Sequence, residues 1–158
     1  MKNSTLLIIF GIVILILFIF RKPINKVVTR GYKNNNPGNI RLTNIKWKGE
    51  VDGTDKSFKT FKSMPYGYRA LFALLREYIS KGYNTIEKII SRYAPGNENN
   101  TEAYINTVVK KTGIDRNTIL TFAEYSRIND LVAAISFVEN GITPDSSDIN
   151  NGYKLLMA

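Results

Sequence analysis

The sequence contains no cysteine and no histidine among its 158 residues. The first absence excludes disulfides, thiolate chemistry and cysteine metal sites. The second removes the usual general base, the Ser-His triad and the commonest metal ligand. Any acid–base chemistry must therefore use carboxylates, tyrosines or lysines, and we expect neither a metal nor a cofactor.

Acidic residues are scarce and unevenly placed. The chain has 22 lysines and arginines against 13 acids, a formal net charge of +9, and no acid precedes Glu50. This balance suggests a polyanionic partner such as nucleic acid, anionic lipid or a bacterial wall polymer. The length allows one domain with an appendage.

An unbroken apolar run, Leu6–Phe20, lies near the start of the chain. Counted from Asn3, roughly 18 residues are free of charge, which is at the short end of what spans a bilayer. The run ends at Arg21-Lys22-Pro23 without a small-residue cleavage site, so we interpret it as an uncleaved anchor rather than a signal peptide. Residues 1–22 are therefore predicted to be the transmembrane helix of a single-pass membrane protein.

Basic residues continue beyond the run, and we assign residues 23–33 to a juxtamembrane linker. Next to a membrane, such a segment favours contact with anionic headgroups of the lipid bilayer. It lacks the interleaved aromatics of a stacking surface, so nucleic acid is not the expected partner. Since Lys2 alone precedes the run, the positive-inside rule predicts that the C-terminal domain faces the cytoplasm.

The segment Asn34–Phe61 combines a polar turn cluster, the only tryptophan and a short alternating stretch. Turn residues followed by period-2 segments predict a small, irregular β-hairpin region. Trp47 beside Glu50 and Asp52 is a plausible wall of a sugar-binding cleft, since aromatic faces take the apolar side of a sugar ring. The alternative is a solvated hairpin whose tryptophan merely fills the core.

After this segment the periodicity becomes helical, which predicts an α+β domain, mostly α, over residues 34–158. The predicted helices are Pro65–Lys81 stopped by Gly82, Ile86–Tyr93 capped by Thr85, one capped by Thr101 and followed by Gly113, a shorter one from Asp115 to about Phe122, and Asp130–Glu139 with Ser126 or Asn129 at its start. A last amphipathic turn or helix covers about Asp148 to Met157.

Glu139 lies at the edge of the apolar face of its predicted helix, about 40° around from Ile135. Partial burial and the negative end of the helix dipole both disfavour the charged form, so its pKa should be raised. A carboxylic acid that stays protonated near neutral pH is what cleavage of a glycosidic bond requires. The alternative is a surface glutamate that precedes an Asn140-Gly141 helix end.

A long spaced pattern of motifs runs from about Gly31 to Gly141. Its members are NNNPGNIR, Trp47-x-Gly49, Phe58-x-x-Phe61, Gly67-x-Arg69-Ala70, Arg92-Tyr93-Ala94-Pro95, Glu98-Asn99-x-Thr101 and Tyr104-Ile105. The pattern resembles that of phage virion proteins with lysozyme-like domains. The resemblance implies a lysozyme-like domain that binds peptidoglycan glycan strands. Its implied substrate-binding residues are Asn39, Trp47, Tyr93 and Asn99.

The order of the parts also resembles flagellar-type glucosaminidases of the lysozyme superfamily, rearranged. In those enzymes a helix ending in Glu-Ser-Gly precedes the tryptophan segment, whereas here Glu139-Asn140-Gly141 comes last. A circular permutation would give Glu139 the position of the catalytic acid. Asn140 replaces the serine, and the match does not fix a second carboxylate. Glu50 and Asp52 are the candidates by their position near the β-region.

Two classes of function remain open. In the first, a membrane-anchored, virion-associated enzyme of muramidase or lytic transglycosylase type cleaves the β-1,4 glycan backbone during entry or exit. A transglycosylase could use Glu139 alone, whereas a hydrolase would also need Glu50 or Asp52. In the second, a non-catalytic virion structural protein keeps the lysozyme-like scaffold and contacts other virion proteins. A basic nucleic-acid binder, the third hypothesis, explains neither Trp47 nor Glu139.

The predicted topology bears on the location. A domain that faces the cytoplasm counts against a host wall enzyme and is compatible with a phage protein placed in a virion membrane. The host bacterial inner membrane is the alternative location. We favour the enzyme over the structural protein.

Overall fold

The computed structural model describes residues 28–96 and 100–158. The predicted anchor Leu6–Phe20 and most of the predicted linker lie outside these residues, as does Asn99. In the part of the chain that the structure describes, no helix is both long and apolar enough to cross a bilayer.

The described residues form six helices and a two-stranded antiparallel sheet, so the predicted α+β class with a helical majority is confirmed. In chain order the elements are α1 (Arg30–Lys33), β1 (Glu50–Val51), β2 (Thr60–Phe61), α2 (Met64–Ser80), α3 (Ile86–Tyr93), α4 (Thr101–Thr112), α5 (Tyr125–Asn140) and α6 (Ser146–Met157).

The predicted β-hairpin region is present, and its ladder is short. Glu50 pairs with Phe61 in the β1–β2 register, and one further bridge joins Arg41 to Phe58. The backbone N–H of Phe61 donates to the carbonyl of Asn34 at 2.9 Å. The sheet is therefore attached directly to the turn cluster that precedes it.

Helix α2 runs through the centre of the core. Its residues Tyr68, Leu71 and Leu75 are fully buried, and the Tyr68 hydroxyl forms a 3.0 Å hydrogen bond with the Ser136 hydroxyl of α5. On another side, a Cβ added to Gly152 of α6 would lie 2.5 Å from Tyr68 Cβ, so only glycine permits this approach. The contacts of Tyr68 in α2 thus position both α5 and α6.

Several predicted helix ends are confirmed. Thr85 caps α3, since its hydroxyl oxygen accepts from the Lys88 N–H at 3.2 Å. Gly82, Gly113 and Gly141 all have positive φ at the ends of α2, α4 and α5, where the left-handed conformation favours glycine. These helix ends could be predicted from the sequence because the residue types that cap helices are few and act locally.

The predicted cap of α4 is wrong by one residue. Asn100 is the N-cap, and its side-chain oxygen accepts from the Ala103 N–H at 3.0 Å. The hydroxyl of Thr101 instead donates to the carbonyl of Ala94 at 2.6 Å. Thr101 thereby connects the start of α4 to the end of α3.

The predicted helix from Asp115 to about Phe122 is wrong, because this segment forms turns. The Asp115 carboxylate accepts from the Asn117 N–H at 2.9 Å, which closes a turn instead of capping a helix. Farther on, the Leu120 N–H donates to the carbonyl of Asn84 at 2.7 Å. A bond across to another part of the chain replaces the helical one.

The last two helices begin earlier than predicted. Helix α5 starts at Tyr125, and the carboxylate of Glu124 just before it accepts from the Thr121 N–H at 3.0 Å. Helix α6 starts at Ser146, because Asp145 caps it by accepting from the Ser147 N–H at 2.8 Å.

Residues 29–33, which fall in the predicted linker, pack against the domain. The Thr29 hydroxyl donates to the Asn140 side-chain oxygen at 2.8 Å, and Gly31 in α1 is buried. Arg30 forms an ion pair with Asp55 at 2.6 Å. The folded part therefore includes residues before 34.

Candidate functional site

A cleft of about 430 Å³ lies between the hairpin region, α2 and α3, and Glu139 reaches it from α5. Its walls combine aromatic rings, two guanidinium groups, one amide and one carboxylate. The residues that line it are Asn39, Ile40, Arg41, Thr43, Ile45, Trp47, Phe58, Leu74, Tyr78, Arg92, Tyr93, Ala94, Pro95 and Glu139.

The turn cluster at one side of the cleft is held by a buried amide. Asn36 is fully buried; its side-chain N–H donates to the carbonyls of Ile40 and Lys59 at 3.0 and 2.9 Å. Its oxygen accepts from the Ile40 N–H at 2.8 Å. Because all of these bonds end on backbone atoms, the loop has a fixed shape.

Asn39 follows in a left-handed conformation, φ +45°, which asparagine tolerates better than most residues. Its amide donates to Glu139 Oε2 at 2.9 Å and to the Glu139 carbonyl at 3.3 Å. The predicted substrate-binding residue thus lines the cleft and also contacts the predicted catalytic acid. A Cβ added to Gly31 would lie 2.8 Å from Asn39 Oδ1. Position 31 must therefore be glycine for Asn39 to keep this place.

The other oxygen of the Glu139 carboxylate, Oε1, accepts from the Tyr104 hydroxyl at 3.0 Å. Burial raises the pKa of Glu139, while the hydrogen bonds from Asn39 and Tyr104 and the charge of Arg41 oppose that rise. The net shift is upward, as the sequence predicts, and its cause is desolvation. The carboxyl group therefore holds its proton to a higher pH than an exposed glutamate.

The end of α5 is tied to the turn cluster by Asn140, whose buried amide donates to the carbonyls of Pro37 and Ser136 at 2.7 and 3.0 Å. This is the position where the resembling glucosaminidases carry serine. The asparagine therefore fixes the helix end that carries Glu139 against the loop that carries Asn39.

Two tyrosines, Tyr93 and Tyr104, lie close enough to the Glu139 carboxylate for its charge to affect their pKa values. Tyr93, a predicted substrate-binding residue, lines the cleft, and its hydroxyl donates to the carbonyl of Gly38. Burial raises the pKa of Tyr93 and of Tyr104, and the charge of Glu139 raises both further. Both hydroxyls therefore stay protonated hydrogen-bond donors. Tyr104 stands in the motif Tyr104-Ile105 but was not among the predicted substrate-binding residues.

Glu50 lies in a buried ion pair and is not among the residues that line the cleft. Its Oε1 accepts from Lys59 Nζ at 3.0 Å and its Oε2 from the Trp47 N–H at 3.0 Å. Burial raises the pKa of Glu50, but these hydrogen bonds outweigh it and the net shift is downward. Its role as a second catalytic carboxylate stays a prediction, and its contacts here are structural.

Lys59 organises the wall that carries Trp47. Its ammonium group also donates to the carbonyls of Thr43 and Ile45, both at 2.8 Å. With Glu50 as the third acceptor, all three ammonium donors are satisfied although the side chain is only 1% exposed. The partly buried Trp47 thus lies in a loop whose backbone carbonyls and Glu50 carboxylate are all hydrogen-bonded to Lys59 Nζ.

The remaining predicted acid, Asp52, is exposed and does not line the cleft. Among the described lining residues, Glu139 is therefore the only carboxylate. Within residues 28–96 and 100–158, no group of three or more acidic side chains could hold a metal ion.

The two arginines of the cleft were not among the residues predicted from the sequence. The Arg41 guanidinium lies 5.3 Å from the centre of the Phe58 ring, and that of Arg92 lies 5.8 Å from the Tyr83 ring. Both stand in motifs that carry the resemblance, NNNPGNIR and Arg92-Tyr93. A signal was thus present, but charge spacing alone does not distinguish such residues from solvated lysines and arginines.

No family model matches the chain. Similarity is found to "Protein P5" of Pseudoalteromonas phage PM2, with 41% identity over 131 residues that cover 79% of this chain and 80% of that protein. The predicted relationship to phage proteins is thereby confirmed. The chain belongs to the family of Protein P5 of Pseudoalteromonas phage PM2.

Proposed function

We propose that the chain is a membrane-anchored phage virion protein whose lysozyme-like domain cleaves the β-1,4 glycan of peptidoglycan. Membership of a phage protein family supports the phage origin. The apolar run of residues 6–20 supports the anchor. The chemistry is supported by the cleft.

One observation carries the enzymatic proposal: the desolvated carboxyl group of Glu139 reaches a cleft with an aromatic wall. A general acid must hold its proton at the working pH and release it to the leaving oxygen. Burial supplies the first property by raising the pKa of Glu139. Trp47 and Tyr78 supply ring faces for the apolar sides of sugars.

The reaction begins when Glu139 gives its proton to the glycosidic oxygen and the C1–O bond breaks. The resulting carboxylate then acts as a base. In a lytic transglycosylase it takes the proton of the C6 hydroxyl of the same sugar, whose oxygen bonds to C1 and closes a 1,6-anhydro ring. In a hydrolase it would activate water, with a second carboxylate in attendance.

The single carboxylate among the described lining residues favours the transglycosylase over the hydrolase. Glu50 is bound to Lys59, and Asp52 lies away from the cleft-lining set. The expected products therefore end in 1,6-anhydro sugars rather than in reducing ends.

The test is digestion of purified peptidoglycan by the full-length chain in a neutral detergent. We expect clearing of the substrate and 1,6-anhydro ends in the soluble products by mass spectrometry. Glu139→Gln should lower the rate by about a hundredfold or more, because the amide has no proton to give at neutral pH.

Glu77→Gln is the matched control, since Glu77 is exposed and pairs with Lys81 on the outside of α2. It should digest peptidoglycan at the wild-type rate. Equal rates for Glu139→Gln and wild type would remove Glu139 from the reaction.

A structural role is the second candidate function. It is favoured by the fact that both Glu139 oxygens already accept hydrogen bonds from Asn39 and Tyr104, as in a network that only holds α5 against α4 and the turn cluster. In this case the wild-type chain would bind wall polymer without cutting it at any pH. Glu139→Gln would then change the free energy of unfolding and nothing else.

A further inference from the structure

The charge of the cleft differs from what a neutral sugar polymer requires. Arg41 and Arg92 both line it, and Glu139 is the only acid among the described lining residues. With the Glu139 carboxyl protonated, no charged carboxylate among the described lining residues faces Arg92. A neutral glycan gains little from guanidinium groups, which bind carboxylates and phosphates through paired N–H donors.

Arg92 stands in the last turn of α3, next to the cleft residue Tyr93. The structure describes no carboxylate within ion-pair distance of it, and the residue is exposed. Arg92 lines the cleft together with Tyr78, and its charge opposes the rise that burial causes in the pKa of Tyr78. Arg92 is therefore positioned to meet a charged group on a bound ligand.

Arg41 stands in the hairpin region and acts on the same space. Its charge lowers the pKa of Glu139 against the effect of burial. The aromatic residues Trp47 and Tyr78 line the same cleft and offer apolar surface for sugar rings. The cleft thus combines apolar faces with positive charge.

We infer that the cleft selects glycan strands that carry carboxylate groups, and that Arg92 is a specificity-determining residue which binds one of these carboxylates. The inference rests on the proposed function, since it names the feature of the glycan that the same cleft recognises. In peptidoglycan these groups are the carboxylates of the peptide stems or of the lactyl side chains. Both present the same planar anion to a guanidinium group.

The experiment measures binding without cleavage. The full-length chain with Glu139→Gln, in a neutral detergent, is titrated with three soluble ligands while the fluorescence of Trp47 is recorded. The ligands are strands with peptide stems, strands from which an amidase has removed the stems to leave lactyl carboxylates, and strands whose carboxylates have been converted to amides. All are freed of phosphate polymers beforehand.

We expect binding of both acidic ligands, weakened by salt, and about tenfold weaker binding of the amidated strands. Adding Arg92→Gln should weaken binding of the acidic strands to the level of the amidated ones. Arg92→Lys should restore part of the affinity, because it keeps the charge and loses the paired donors. Lys88→Gln removes an equal charge from the exposed face of α3 and should change nothing.

Equal affinity for acidic and amidated strands, or an equal loss with Lys88→Gln, would overturn the inference. The two proposals fail separately. A wild-type chain that binds acidic strands through Arg92 but never cuts them refutes the enzyme and keeps the specificity. One that cuts acidic and amidated strands alike, with Arg92→Gln at the wild-type rate, keeps the enzyme and refutes the specificity.

Discussion

Lys59 Nζ lies 3.0 Å from Glu50 Oε1, and the two side chains are only 1% and 5% exposed. Such a pair adds little net stability compared with an apolar pair, but loss of one partner leaves a buried charge without compensation. Because Lys59 also binds two loop carbonyls, the pair supports the wall that carries Trp47.

We therefore predict that Lys59→Met lowers the free energy of unfolding by about 3–5 kcal/mol. The double variant Lys59→Met, Glu50→Gln should be more stable than the single one, because it buries no unpaired charge. Denaturant unfolding followed by the fluorescence of Trp47 measures both. Lys46→Met is the control: Lys46 is 76% exposed and pairs with Glu50 only at 3.6 Å, so its loss should cost at most about 1 kcal/mol. Equal costs for Lys46→Met and Lys59→Met would contradict the prediction.

The second prediction concerns the stability of the folded state at low pH, to which the Asp55 carboxylate contributes. Asp55 accepts two hydrogen bonds from Arg30, both at 2.6 Å, and others from Asn34 and the backbone. These contacts hold its pKa well below the ordinary value. A lowered pKa stabilises the folded state above the unfolded pKa of about 4, and this stabilisation is lost as the pH falls towards the folded value.

Asp55→Asn should therefore be less stable than wild type at neutral pH, and the difference should narrow below about pH 4. Unfolding curves at a series of pH values measure it. Asp52→Asn, a change at an exposed position nearby, should show no such narrowing. A gap between wild type and Asp55→Asn that stays constant down to pH 2 would refute this account.

The third prediction tests the close approach at the turn cluster. A Cβ at Gly38 would lie 2.6 Å from the Tyr93 hydroxyl oxygen and 3.0 Å from Leu71 Cδ1. Gly38→Ala should cost about 1–3 kcal/mol of stability because these groups must move. At Gly96 the nearest atom would be 3.7 Å away, so Gly96→Ala is the control that should be tolerated. Thermal unfolding compares the two, and equal midpoints would contradict the packing argument.

The fourth prediction concerns the titration of Glu139. The hydrogen bond from Tyr104 opposes the effect of burial on its pKa, so Tyr104→Phe should raise that pKa further. The carboxyl carbon shift of Glu139, followed by NMR against pH, measures the change directly. If Glu139 is the acid, the alkaline limb of the pH–activity profile should move to higher pH as well.

Tyr125→Phe is the matched control for Tyr104→Phe, because the Tyr125 hydroxyl bonds to Asn150 on the surface. It should leave the titration of Glu139 unchanged. A lower pKa of Glu139 in Tyr104→Phe would mean that the hydroxyl does not stabilise the carboxylate form.

Much of the helical framework could be predicted, because its signals are local. The stripe of apolar residues that includes Leu131 and Ile135 defines the buried face of α5, and the position of Glu139 beside that face gives its partial burial and the upward shift of its pKa. The prediction of a helix after Asp115 was wrong because a distant contact, rather than a local signal, determines the structure there. The same aspartate oxygen can cap a helix or close a turn, and the bond from Leu120 to Asn84 decides between them.

The charged interior could not be predicted. In the alternating stretch Phe58 to Phe61, Lys59 falls on the same side as the buried Phe61. Alternation alone would bury it, but the cost of burying a charge argues against that unless acceptors are known. The acceptors are the carbonyls of Thr43 and Ile45 and the carboxylate of Glu50, and the loop that brings them together leaves no periodic signal.

The hydrogen bond between Asn39 and Glu139 joins positions 100 residues apart in the chain. A ribosome makes the chain from its N-terminus, so the turn cluster and Trp47 emerge long before α5 exists. A chain still in synthesis carries the aromatic wall of the cleft without its carboxylate. The cleft is therefore completed only when residue 140 has been made and α5 has packed, and the order of synthesis itself delays the appearance of any chemistry at Glu139.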